Sequence, residues 1–590
     1  MKNIPDYLRV YIVDQDASYY TPIDHACWRF ILKISKAFFS KNAHEMYLNG
    51  LLETGITTDR IPLISEMDEK LSRFGWRAVA VSGFIPPAIF MEFLARGILP
   101  IACDMRKIEH LSYTPSPDIV HEAAGHAPII ADPEYAAYLH HYGELAEKAI
   151  FSSQDLEVYQ AIKNLSDIKE DPLSTDKEID QAQKKLDEAL AKVDHDSEAT
   201  QLGRMGWWTI EYGLLGTPDN PKIYGAGLLS SVGESYHCLD PSVPKIPFNI
   251  DCINKSYDIT RPQPQLYIAP DFQTLTQGLD EFANQMAYKQ GGVLGLNKAK
   301  KAKTTTTSQL DSGIQISGTL SNFLLDSNQK IAYLQFQGPS QLSFEQKEIE
   351  NQGPHYHKEG FGTPVGILKN YSMTPTDLTE EQLNKMGFIS QQKGKMEFQS
   401  GVTVEGVLKG KTQKKVKGED KNLILSFESC TVYWMSPTSG QKEFLFKPEW
   451  GTFDMACGAE VISVFGGAAD RSAYLIATGG FKQEPGKQKT NLTQENKELN
   501  ELYRVIRNIR ENNQHPGSLP SSQLQVLEKT VSELNQKYPD DWLLRYELLE
   551  LDSKYNLNSS WKLSIQNRLF ELSQSSKDKA ELIQRGMALL

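Results

Sequence analysis

A chain of 590 residues is too long for one hydrophobic core and predicts several folding units. Hydrophobic residues make up 40% and charged residues 23%, a globular balance, and no apolar run approaches the length needed to cross a bilayer. The formal charge of −13 argues against nucleic-acid binding, which needs a surplus of Lys and Arg on some face. The start, MKNIPDYLRVYIVDQDASYYTP, lacks a basic leader and a continuous apolar stretch, so a cytoplasmic protein acting on small molecules is expected.

In chain order, WRFILKISKAFF (28–39) and AIFMEFLARGIL (88–99) have helix-like apolar spacing, which predicts a mainly α first domain over residues 1–295. Within it, residues 144–202 change character. Ile179, Ala182, Leu186, Leu190 and Val193 recur at helical spacing among many charges, as in an inserted, solvent-facing helical hairpin. Residues 296–312, where a Lys run meets a Thr run without apolar period, are expected to be a linker. Short glycine-punctuated segments such as GVTVEGVLKG and LILSFESCTVYW predict a β-rich domain, a sandwich or barrel, over residues 313–485. Residues 490–590 return to amphipathic helices, a small bundle or docking arm. Six cysteines without C-x-x-C spacing are expected as reduced, buried thiols. His355 and His357 alternate in GPHYHKEGFG, which reads as a surface loop short of a third metal ligand.

The most informative stretch is YTPSPDIVHEAAGHAPII, residues 113–130, which sets His121 and His126 five apart. At about 100° per residue, such a pair stands roughly 140° apart on a regular helix, unlike the i,i+4 pair of the zinc-protease H-E-x-x-H. Something must bend. Gly125 and Pro128 allow the backbone to leave regular helix there, so both rings can converge on one ion at a helix end. A carboxylate would complete a facial triad with open positions, and Glu211 in GWWTIEYGL, set among aromatic residues, is the candidate. Spacing alone leaves hydrogen-bonded core polar groups open as the alternative.

Taken in order, YTPSPDIVHEAAGH, WWTIEYGL and IYGAGLLSSVGE resemble the tetrahydrobiopterin-dependent aromatic amino acid hydroxylases, most of all their bacterial, phenylalanine-hydroxylating branch. Further agreement lies in YTPIDHACWRF and in VSGFIPPAIFMEFLARGILPIACDMR. The resemblance covers residues 15–288, less the insertion. It implies Fe(2+) on His121, His126 and Glu211, a tetrahydropterin cofactor such as tetrahydrobiopterin, and hydroxylation of L-phenylalanine to L-tyrosine with O2. By the same resemblance Arg106 grips the substrate carboxylate, Asp118 orients it or a histidine, and Thr114 and Pro115 shape the pocket floor. Trp207 stands beside the substrate ring, and Ser230, in the same pocket, holds an iron-ligating histidine. Gly83, Phe84, Ile85 and Phe90 match the pterin loop and its stacking ring, and Glu122 the acid facing the pterin.

There are departures. Pro86 and Pro87 stand where the animal enzymes have serines, and Tyr212 follows the ligand where they have phenylalanine. No N-terminal regulatory domain is expected. Ile259 is apolar where tyrosine hydroxylases carry an aspartate, which favours phenylalanine. The alternatives are tryptophan or tyrosine hydroxylation by the same mechanism, a zinc hydrolase with Glu122 as base, and a non-catalytic hydroxylase-like binding module. For the C-terminal regions, homo-oligomerisation, partner docking and shielding of the active-site mouth are all open.

Overall fold

The computed structural model describes residues 4–590 apart from 84, 113, 115–116, 171–173, 260, 417, 437–439, 481–493 and 514–518. Two compact units interleave along the chain. One comprises Val10–Gly143, Arg204–Gln277 and Glu484–Leu590, the other Met1–Arg9, Glu144–Gly203 and Gly278–Gln483. This differs from an expected contiguous domain over residues 1–295: the stretch 144–203 clusters with the β-rich part, and the last hundred residues cluster with the histidine motif.

In the first unit, the helix Pro22–Asn42 begins at a capping box between Thr21 and Asp24 with Pro22 in its first turn. It is buried on more than one face, from Ala26 to Leu32 almost without a break. The C-terminal helices explain that burial. Trp542 and Tyr546 set their rings edge-on to Phe30 with centroids 4.9 and 5.0 Å away. Arg29 donates to both carboxylate oxygens of Glu547, at 3.0 and 2.7 Å. From the last helix, Lys577–Met587, Arg585 donates to the Val232 carbonyl at 2.8 Å and lies over the Tyr236 ring.

The expected helix over 88–99 is shorter. It runs Pro87–Leu94, and after Gly97, at φ +63°, the chain becomes the strand Ile98–Ala102, paired in parallel with Arg77–Val81. A left-handed glycine lets the chain reverse there, and the β-branched residues that follow fit a buried strand. A second sheet of four strands, ordered Asn220–Ile223, Leu214–Thr217, Leu266–Ala269, Lys245–Pro247, starts directly beyond Glu211.

In the second unit, helices Ser153–Glu170 and Asp176–Ala191 pack on each other. Their inward line includes Ala182 and Ala189, while Leu190 is exposed, one position off the expected stripe. Glu198, just beyond the pair, ties the residue run before it to the helical stretch 287–302. Its buried carboxylate accepts from the amides of Ile150 and Ala287, at 3.1 and 2.6 Å, and from the Lys298 ammonium at 2.8 Å.

The expected linker over 296–312 is regular structure. Helix Gly292–Ala302 buries Leu296, Ala299 and Ala302 on one face and sends its lysines outward, and Thr305–Leu310 is a strand paired on both sides. Spacing of three between small residues and β-branching of threonine outweigh the low-complexity look. Thr305–Leu310 belongs to a six-stranded sheet with Ile314–Leu325, Ile331–Phe344, Lys347–Glu348, Gly360–Pro364 and Val461–Gly466. A separate five-stranded sheet is built around Val402–Val416 and Glu419–Met435. Leu423, Ile424 and Ala456 from the second sheet enter the core of the first. All six cysteines are free and buried. His355 is exposed, whereas His357 is buried with its Nε2 2.7 Å from Gln352 Oε1. No helix of the described residues is long and apolar enough to cross a membrane.

Candidate metal centre

His121 and His126 lie on a π-helical segment, His121–His126, whose next amide, that of Ala127, donates to the Glu122 carbonyl five residues back. A π-turn holds roughly one residue more than an α-turn, so residue i+5 comes to lie nearly above residue i. The wide turn does what a bend at a helix end was expected to do, and the chain continues directly into helix Ala127–Ile130. Gly125 has a different role from the expected one. It is helical, and a Cβ there would meet the Ala226 carbonyl oxygen at 2.6 Å, so it admits close approach of the helix Ala226–Ser230.

Glu211 closes a second π-helical segment, Trp207–Glu211, with the Tyr212 amide donating to the Trp207 carbonyl at 2.9 Å. The same short helix abuts it from the other side: a Cβ on Gly225 would meet the Glu211 carbonyl oxygen at 2.4 Å. One ligand atom from each of His121, His126 and Glu211 lies within 4.8 Å of the others, the one such group among the described residues. His121 Nε2 stands 3.4 Å from one Glu211 oxygen and His126 Nε2 3.2 Å from the other.

The protonation states suit a cation. Burial, partly offset by Glu211, brings His121 down to about 4, so its ring is neutral at pH 7. Burial opposes charge on Glu211, but the two imidazoles and the Gly227 amide hold its carboxyl down at about 2. Ser230 fixes which nitrogen of His121 is free. Its hydroxyl donates to the Ala226 carbonyl at 2.7 Å and so accepts from His121 Nδ1 at 3.0 Å, which leaves Nε2 as a lone-pair donor toward Glu211. His126 is buried, and neither of its ring nitrogens has a hydrogen-bond partner. Two imidazoles and a carboxylate with free donor atoms turned to one point fit a divalent transition metal.

Arg106 is held by three donors. Nε and Nη2 grip both oxygens of Asp118 at 2.8 and 2.7 Å, and Nη1 reaches the Ser230 carbonyl at 3.0 Å, which leaves two N–H groups for a ligand. Asp118 also accepts from the His121 amide at 3.2 Å, tying the guanidinium to the start of the π-turn. Glu122 is buried and accepts from the Ala102 amide at 3.3 Å. Burial, with Asp118 adding to it, raises its carboxyl well above the ordinary range, which favours the protonated form. The Phe90 ring centroid is 6.2 Å from that of His126. Gly83 sits at φ +65° with its amide on Asp104, Ile85 is buried, and Thr114 is half-buried. Phe84 and Pro115 lie outside the described residues.

Sequence patterning missed what surrounds Trp207. The indole is sandwiched between Tyr212 and Tyr257, with ring centroids 4.5 and 4.2 Å away. Its Nε1 donates to Gln263 Oε1 at 3.2 Å. Gln263, 1% exposed, cannot turn around, because its NH2 donates to the carbonyls of Asp258 and Arg261, both at 2.9 Å. Gln263, one of two glutamines in PQPQL, carries no periodic signal, and its burial and its bonds mark it.

Comparison with known proteins bears on this arrangement. Residues 14–155 and 169–311 match the family of biopterin-dependent aromatic amino acid hydroxylases, so most of the stretch set apart above as an insertion lies within the match. The phenylalanine-4-hydroxylase of Vibrio cholerae is 30% identical over 257 residues, 43% of this chain and 73% of that protein. That of Ralstonia nicotianae is 29% identical over 283 residues, 46% of this chain and 76% of that protein. A crystal structure of Chromobacterium violaceum phenylalanine hydroxylase with iron(III) and 7,8-dihydrobiopterin is 27% identical, covering 48% of this chain and 92% of that one, with a TM-score of 0.37. With two histidines and a glutamate turned to one point inside the matched residues, this chain belongs to the biopterin-dependent aromatic amino acid hydroxylase family.

Proposed function

We propose that this chain hydroxylates the ring of L-phenylalanine to give L-tyrosine, consuming O2 and a tetrahydropterin at an iron(II) ion held by His121, His126 and Glu211. The observation that carries the proposal is the convergence of those three ligand atoms within 4.8 Å. Iron(II) bound there would supply open coordination positions at which dioxygen is activated. The rest is work for the chain's own side chains.

Ser230 keeps His121 in the tautomer that offers Nε2. The two remaining N–H groups of Arg106 suit the carboxylate of an amino acid, since a planar fork binds a planar acceptor. Trp207, clamped between Tyr212 and Tyr257, meets an aromatic ring with its edge. Glu122 and Phe90 offer a pterin a buried carboxyl and a ring face. Relatives at 29–30% identity are phenylalanine-4-hydroxylases, which supports phenylalanine over tyrosine or tryptophan.

The test is incubation of iron(II)-loaded protein with a tetrahydropterin, O2 and each of the three aromatic amino acids in turn. Tyrosine formed from phenylalanine is the expected product. No hydroxylated product from any of the three refutes the proposal, and full activity in His121→Ala refutes the ligand assignment.

Gln263→Leu gives a narrower prediction. It frees the indole N–H and should raise KM for the amino acid about threefold to tenfold, the worth of one buried hydrogen bond, with KM for the pterin unchanged. Steady-state kinetics in both substrates checks it, and equal rises in both KM values would place Gln263 outside the amino acid pocket.

A further inference from the structure

The π-turn that aligns the two histidines needs support from outside its own helix. Pro128, two residues past His126, has no amide hydrogen, and in α-helical register that amide would point at the carbonyl of Ala124. Ala124 lies between the two histidines, and an unserved carbonyl buried there costs free energy. A donor reaches it from another helix. The Tyr47 hydroxyl, on helix Met46–Glu53, donates to the Ala124 carbonyl at 2.9 Å.

Tyr47 has no room to do otherwise. It is fully buried, and the Phe39 ring stands edge-on to it with centroids 5.1 Å apart. Three residues further along the same helix, a Cβ on Gly50 would meet the Pro128 carbonyl oxygen at 2.0 Å. The two helices therefore touch backbone to backbone, which fixes the height at which the hydroxyl arrives.

We propose that Tyr47 is a positioning residue for the metal centre: its hydroxyl makes the hydrogen bond that Pro128 cannot, and so holds the wide turn that puts His121 and His126 on one face. This rests on the reading of His121, His126 and Glu211 as metal ligands. Tyr47→Phe removes one oxygen atom and leaves the ring packing intact. The Ala124 carbonyl then loses that donor, and the turn is no longer pinned at the height that aligns the two imidazoles.

The experiment uses the full chain stripped of metal and titrated with cobalt(II) against a competing chelator. Tyr20→Phe is the matched control, because Tyr20 also donates a hydroxyl to a buried backbone carbonyl, that of Cys103 at 2.7 Å, away from the turn. Tyr47→Phe is expected to weaken cobalt binding on the order of tenfold to a hundredfold, the range seen when a group that orients a metal ligand is lost, and to alter the cobalt absorption bands. Tyr20→Phe is expected to bind as wild type. Adding Pro128→Ala to Tyr47→Phe returns an amide hydrogen four residues after Ala124, which favours α-helical winding, and should recover thermal stability without recovering cobalt affinity.

Wild-type affinity in Tyr47→Phe, an equal loss in Tyr20→Phe, or recovery of the affinity in the double variant overturns the proposal. No cobalt binding by the wild-type chain would overturn the metal reading itself, and this inference with it.

Discussion

Glu547→Gln is expected to destabilise the unit that carries the metal site by roughly 3–5 kcal/mol, the cost of leaving a buried charge without its partner. Glu547 accepts from Arg29 at 2.7 Å and from Arg510 at 3.2 Å, and the Arg29 and Glu547 side chains are each 1% exposed. Arg510 also pairs with Glu550, which in turn pairs with Lys33. Glutamine keeps the shape but removes the charge that offsets the desolvation of Arg29. Burial works against ionising Glu547, yet Arg29 and Arg510 prevail and hold its carboxyl down at about 2, against 4.5 for a free glutamate. A group with a depressed folded value binds its proton more readily in the unfolded chain. Its contribution is therefore fully present above about pH 4.5 and lost as the pH falls toward 2. Urea unfolding followed by tryptophan fluorescence, at pH 7 and at pH 3, measures both effects. The variant should have the lower midpoint at pH 7 and should lose less than wild type on acidification. An unchanged midpoint at pH 7 would mean that the C-terminal helices do not stabilise this unit through that pair.

Glu211→Gln is expected to abolish iron retention on dialysis and to lower hydroxylation by roughly a thousandfold or more, since a metal acting as Lewis acid supplies several kcal/mol. The second half of the prediction separates a ligand from a structural carboxylate. In metal-free protein at pH 8 the His121 ring is neutral, and the half-buried Glu211 carboxylate faces it and His126 without a cation. A metal that binds only the folded chain stabilises it by mass action, so added iron(II) should raise the melting temperature of wild type and not that of the variant. Metal analysis, product formation and differential scanning calorimetry are the three measurements. A variant that keeps its iron, or that iron(II) stabilises as much as it does wild type, contradicts the assignment.

The ligands were readable because their signal is local and chemical. Two histidines five apart, with glycine before the second and proline after it, cannot both serve one ion on a regular helix, so a distortion could be anticipated from spacing alone. Its form could not. A π-turn persists only where groups from other segments complete it, here the Tyr47 hydroxyl and the backbone of Ala226 against Gly125, and these lie 77 and about a hundred residues away in the chain. The stack around Trp207 was hidden for a similar reason. Tyr257 and Gln263 meet the indole across a loop, and aromatic or amide residues in loops have no period to read.

The misread linker has the opposite lesson. Lysines and threonines between residues 296 and 312 look unstructured by composition, but Leu296, Ala299 and Ala302 are an inward face and the threonines a strand. Low apolar content conceals a helix whose buried face is made of small residues.

By itself the sequence determined the types of residue at the metal, the segments that bear them and the family resemblance, since each depends on neighbours along the chain. Tertiary structure decided the rest: that the turn at His121–His126 is wide enough to bring both rings together, and that Arg29 finds its counter-charge 518 residues away on Glu547. Both depend on which buried donor meets which buried acceptor. Such pairings are chosen by the cost of leaving either one unsatisfied in the interior, and that cost arises only once the chain has folded around them.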